Sequence, residues 1–158
     1  MSKKYKIVLA ANLILVLAFF AFSVMQKETL IAKGTEVLLR LAPVDPRSLM
    51  QGDYMALNYQ IFDKIGYKSK SGYVVVKLGS DRVAKFVRIQ DGKDVNDGEF
   101  IIRYKRQSGR LSVGADNYFF QEGSGKKFEN AKYGLLKVDS DGNSILIGLC
   151  DDAGQLIE

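Results

Sequence analysis

Hydrophobic and polar positions divide this chain at about residue 26. From residue 7 to residue 25 (IVLAANLILVLAFFAFSVM) the positions are apolar on all sides of a helical wheel, with Asn12 and Ser23 as the polar interruptions. About 20 apolar residues at ~1.5 Å rise each match the hydrocarbon thickness of a bilayer. The run therefore predicts one membrane-spanning helix rather than a core helix, which would carry a polar stripe. Beyond residue 26 the pattern changes to short alternating runs punctuated by Gly, Asp, Ser and Asn, the signature of strands and tight turns.

Residues 27–34 read as a juxtamembrane connector and 35–41 (TEVLLRL) as a strand. Residues 42–51 hold both prolines, Pro43 and Pro46, and predict a fixed turn. Residues 53–61 (DYMALNYQI) alternate, with Met55, Leu57, Tyr59 and Ile61 on one face and Tyr54, Ala56, Asn58 and Gln60 on the other, which predicts a half-buried strand. Three hairpins follow. Residues 73–78 and 83–89 flank a turn at 79–82, residues 100–107 and 110–113 flank Ser108-Gly109, and residues 133–138 and 144–149 flank 139–143. Residues 62–72 and 90–99 are loops, and 114–132 is irregular with one short helix expected over 126–132. The pattern predicts a mainly β protein, a small β-sandwich or barrel of about eight short strands, behind one N-terminal transmembrane helix. The expected divisions are a Lys-rich start and anchor (1–26), the connector (27–34), an extracytoplasmic β-domain (35–150) and a polar tail (151–158).

Charge adds an orientation. Lys3, Lys4 and Lys6 precede the apolar run, so the positive-inside rule places the N-terminus in the cytoplasm and the β-domain outside, in the periplasm where there is one. The competing expectation is a signal peptide cleaved after the small-x-small triplet Ala21-Phe22-Ser23, although the run is longer than the usual signal core. The formal net charge of +5 is dispersed. Basic residues do not alternate with aromatics in the β-domain, so nucleic acid is not an expected partner. Attraction of the segment near the anchor to anionic lipid is an expectation of lower weight than an ordinary solvated surface.

The chain has one cysteine, Cys150, and no histidine. An internal disulfide is excluded, and so are triads built on imidazole and the common His-based metal sites. No cofactor and no metal are expected.

Two blocks carry a more specific signal. Residues 43–59 (PVDPRSLMQGDYMALNY) contain Gly52-Asp53-Tyr54, two residues, Leu57, one residue and Tyr59. Residues 118–129 (YFFQEGSGKKFE) form the second. Both blocks behind one N-terminal anchor, in this order, resemble the GDYXXLXY family of bacterial membrane-anchored proteins over nearly the whole chain. The resemblance implies a single-pass protein of the bacterial inner membrane that accompanies a multi-spanning membrane protein, and it implies no reaction. Read from the residues, the first block is a stiffened turn into a strand. Gly52 permits the tight turn, Asp53 accepts turn N–H groups, and Arg47 lies within reach of Asp45 or Asp53.

A looser similarity is to type I signal peptidases, membrane-anchored β proteins that use a Ser–Lys dyad and no histidine. Gly52-Asp53 match their Gly-Asp, and Lys85 before Phe86-Val87-Arg88-Ile89 sits near their lysine. The nucleophile position falls on Val44, however, so Ser48 with Lys85 would need another geometry. Among smaller signals, 122–125 (EGSG) looks like a phosphate-cradling loop but lacks the Walker spacing, and Ser124 reads better as a helix cap, with Tyr118, Phe119, Phe120 and Phe128 packing that helix onto the sheet. Glu122 and Glu129 as paired carboxylates, and 139–143 (DSDGN) as a calcium loop, are weaker than their readings as surface residues and a hairpin turn.

These readings give three expectations. The first is a non-enzymatic accessory subunit of a multi-spanning membrane protein, docking through Arg47, Asp53, Tyr54, Tyr59 and Glu122, with Asn12 hydrogen-bonding a neighbouring helix in the bilayer. The alternatives are a membrane-tethered hydrolase using Ser48 and Lys85, and a ligand-binding β-domain.

Overall fold

The computed structural model describes residues 3–42, 54–66, 69–107 and 109–157. A single long helix, α1 (Lys3–Lys33), leads into nine strands: β1 (Thr35–Arg40), β2 (Tyr54–Ala56), β3 (Ser71–Leu78), β4 (Ala84–Gln90), β5 (Glu99–Gln107), β6 (Arg110–Ser112), β7 (Asn117–Phe119), β8 (Tyr133–Val138) and β9 (Ser144–Cys150). Single 3-10 turns occupy Gln60–Lys64 and Gly125–Lys127.

The helix is long and apolar enough to cross a membrane, with a mean hydropathy of 2.7 in its best window and none of that window buried by the rest of the chain. It does not stop at the expected connector. Residues 27–33 continue it, because Lys, Glu, Leu and Ala are good helix formers and no Gly or Pro intervenes before Gly34. Gly34 then ends it, its N–H bonded to the Leu30 carbonyl at 2.8 Å. Leu30 is the one buried residue of α1, so the last turn is seated on the β-domain.

The strands form three antiparallel sheets, in the orders β1-β8-β9, β4-β3-β5-β6 and β2-β7. They do not close into a barrel. The two larger sheets share one core, in which Val37 and Leu39 of β1 and Leu136 and Val138 of β8 meet Val74 and Val76 of β3 and Ile102 and Tyr104 of β5. Period-two alternation accounts for this: in β5 residues 102 and 104 turn inward while 103 and 105 turn out. The β3–β4 turn fastens the sheets together. Arg82 takes a left-handed backbone (φ 62°), its carbonyl accepts the Leu38 N–H at 2.9 Å, and its guanidinium pairs with Glu36. A left-handed arginine is uncommon, and here tertiary bonds on both its backbone and its side chain hold it there.

All three hairpins form as the turn residues predict. Two other expectations do not hold. The strand expected over 53–61 stops at Ala56, because the chain leaves the β2–β7 ribbon to span toward β1 and then coils at Gln60–Lys64. The helix expected over 126–132 shrinks to one 3-10 turn, and Ser124 does not cap it through its side chain. Instead the Ser124 hydroxyl donates to the Gln121 carbonyl at 2.5 Å.

Candidate functional site

The end of the domain remote from α1 is built around residues 54–59. Residues 57–59 bridge two elements. The Leu57 N–H donates to the Asp116 carbonyl at 2.7 Å, the Ala42 N–H donates to Asn58 at 2.8 Å, and Tyr59 pairs with Leu41. Leu57 is half-buried and packs against both the main core and a second cluster made by Met55, Phe128 and Leu149. Tyr59 has no exposed surface. Its hydroxyl donates to the Ala115 carbonyl at 2.6 Å, and its ring meets Phe62 edge-on at 5.6 Å. Burial, reinforced by the charge of Asp116, pushes the Tyr59 phenol far above its usual range and holds it neutral. Gly134 makes room for the ring: a Cβ there would lie 3.0 Å from it.

Tyr54 has the opposite surroundings. It pairs across the ribbon with Phe119, their rings 5.9 Å apart, and the two are 37% and 73% exposed. Behind them Phe120 stacks on Phe128, Tyr118 meets Phe128 edge-on, and the three rings close the second cluster. Beside the ribbon a cleft of about 420 Å³ opens between Arg40–Ala42, Met55–Asn58 and Phe128–Lys132. Arg40 at its rim donates to the Tyr133 hydroxyl at 2.8 Å. Asp116 accepts a bond from Ser112 on one carboxylate oxygen, while the other is buried without a partner among the described residues.

Of the sequence-predicted residues, Tyr54 and Glu122 are exposed, Glu122 on the loop that follows Phe119. Tyr59, expected on the same surface, is instead a core residue and cannot touch a partner in the folded chain. Arg47, Asp53 and Ser48 lie outside the described residues. Lys85 is exposed on β4 opposite Lys77, so burial does not desolvate it as a lysine general base requires. Glu129 lines the cleft and Glu122 does not, so nothing pairs the two carboxylates. Among the described residues no group of three or more Cys, Asp or Glu side chains could hold a metal ion. The 139–143 segment is a hairpin turn, in which Asp139 accepts the backbone N–H groups of Asp141 and Asn143. Asn12 is exposed within α1. Phe119, expected from the sequence to pack inward with Tyr118, Phe120 and Phe128, is instead exposed. The signal was present, since in 118–120 the middle aromatic of three must face away from its neighbours.

Against known proteins, one family model, described as GDYXXLXY protein, matches residues 16–149. No curated protein and no solved structure matches the chain.

Proposed function

The chain belongs to the GDYXXLXY family, and on that premise we propose that it is a non-enzymatic accessory subunit, held in the bacterial inner membrane by α1 and docking on a multi-spanning membrane protein. The observation that carries this reading is the contrast within the family motif. Leu57 and Tyr59 are consumed by the core, while Tyr54 is held out on a rigid ribbon against an exposed Phe119. Exposed, preorganised aromatic pairs are what partner pockets capture at low entropic cost. Lys3, Lys4 and Lys6 favour a cytoplasmic N-terminus, which puts the ribbon outside the membrane. Asn12 supports docking within the bilayer as well, since an amide in hydrocarbon gains by bonding a neighbouring helix. Glu122, exposed on the loop after Phe119, extends the docking surface, and Arg47 and Asp53 join the proposal on the sequence alone.

Mild detergent extraction of the full chain followed by affinity capture tests the reading. A multi-spanning protein should co-purify with the wild-type chain and be lost with Tyr54→Asp/Phe119→Asp. Recovery of a lone chain from native membranes refutes it.

The cleft beside the ribbon favours ligand binding as a second reading. Its size suits a small molecule, and Arg40, Lys132 and Glu129 give it polar edges. A ligand-dependent rise in melting temperature that Ala56→Trp abolishes would support it, and a flat response across a broad panel would remove it.

A further inference from the structure

The opposite end of the β-domain meets the C-terminal half of α1 and presents two features that the accessory-subunit reading does not use. The first is a basic hollow of about 270 Å³ where Lys27 of α1 faces Arg103 and Lys105 of β5, with Gln107, Asn143 and Ser144 around them. All three cations are exposed, and none forms an ion pair among the described residues. The carboxylates that line the adjoining hollow are already engaged, and Glu28, next to Lys27 on α1, is exposed. Asp141 pairs with Lys93 at 2.5 Å, Asp139 is bonded to the backbone of its own turn, and Glu99 pairs with Arg88 at 2.9 Å. The second is Val95, the one apolar residue in the loop 91–98 (DGKDVNDG). It is 43% exposed and shares a hollow of about 980 Å³ with Phe22 and Met25 of α1.

The height of these features follows from the helix. The apolar run 7–25 is centred on Val16, and Lys27 lies eleven residues further on, ~16 Å along the axis. Half a hydrocarbon core is ~15 Å. Lys27, and with it Arg103 and Lys105, therefore stands at headgroup level, and Val95 opens on the hollow that runs along α1 from Phe22, below that level, to Thr35, above it, with Glu99, Asp139 and Asp141 also on its walls. We infer that this face of the domain lies on the bilayer, with Val95 inserted as a wedge and Lys27, Arg103 and Lys105 cradling the phosphate of an anionic phospholipid. The inference rests on α1 being the anchor. Asp91, Asp94 and Asp97 on the Val95 loop oppose it electrostatically, so the attraction comes from the cation hollow and the loop contributes its valine.

The test places the full chain in nanodiscs of phosphatidylcholine, alone or mixed with phosphatidylglycerol. A nitroxide is attached at Val95→Cys or, for comparison, at Phe119→Cys. Cys150 is fully buried and stays unlabelled. Accessibility to oxygen against a water-soluble nickel chelate reads depth. The Val95 label should read membrane depth in the mixed discs and the Phe119 label water. Arg103→Glu/Lys105→Glu should shift the Val95 label toward water, lowering the docked-to-free ratio roughly fivefold or more per cation removed. A chain that leaves the discs refutes the anchor and this inference together. A chain that stays while the Val95 label reads water in both lipids refutes the docking alone. Membrane depth that ignores both phosphatidylglycerol and the charge reversal refutes the headgroup site.

Discussion

Tyr54 and Tyr59 belong to one short motif and have opposite fates. Tyr59 is enclosed by Phe62, Leu41 and Ala115 and bonded to a backbone carbonyl, whereas Tyr54 leans on Phe119 at the surface of a two-stranded ribbon. The same side-chain type thus serves as a keystone in one place and stands open to solvent in the other. The difference teaches that a family signature can mix residues kept for folding with residues free for recognition, and that burial separates them.

The largest effect that would test this contrast is at Tyr59. Tyr59→Ala should lower stability by about 4 kcal/mol, because a large buried ring leaves a cavity and a buried carbonyl loses its donor. Urea unfolding of the full chain in detergent would measure it, and a loss below about 1 kcal/mol would dissolve the contrast. Next, Gly134→Ala should cost about 1–3 kcal/mol by pushing a methyl group against the Tyr59 ring. The double variant with Tyr59→Phe should cost less than the sum if the phenol oxygen is what collides, since the glycine's missing Cβ would lie 3.2 Å from it. Tyr59→Phe alone should cost about 1–2 kcal/mol, the penalty of leaving the Ala115 carbonyl without its donor. The smallest effect belongs to Tyr54→Ala, which should stay within about 1 kcal/mol in stability while removing partner capture. A strongly destabilised Tyr54→Ala would make both tyrosines structural.

A pH series probes the end of the domain nearest α1 by comparison. The Glu99 carboxyl is held below its ordinary value of 4.5, first by the Asn96 backbone N–H and then by Arg88. A carboxylate with a depressed folded pKa contributes stability that is present above its unfolded value and lost as pH falls through the folded one. Glu36, bonded to Arg82 and Lys137, and Asp141, bonded to Lys93, act in the same direction. Unfolding midpoints should therefore fall as pH drops below about 4.5, and Glu99→Gln should reduce that slope. An unchanged slope would show that Glu99 is not linked to folding.

Legibility in the sequence varied with the range of the interactions. The long apolar helix and the three hairpins were readable because they depend on composition, turn chemistry and short alternating runs. The end of β2 was not, since the 53–61 run alternates without a break. What stops it is the demand of the Leu41, Ala42 and Asp116 backbone groups for partners from residues 57–59. The helical connector was missed because its charges read as a boundary, although its propensities favour continuing the helix. Nothing in the sequence places Arg103 and Lys105 beside Lys27, because that proximity comes from packing between distant segments.

The sequence by itself determined a membrane-length apolar helix, a mainly β domain behind it and the family to which the chain belongs, because these follow from local pattern and from motif. Tertiary structure decided which motif tyrosine is buried, that Phe119 completes the exposed pair and that Arg103 and Lys105 gather beside Lys27 of α1. Those outcomes come from pairings between segments far apart in the chain, where register and packing, rather than propensity, set what each side chain meets.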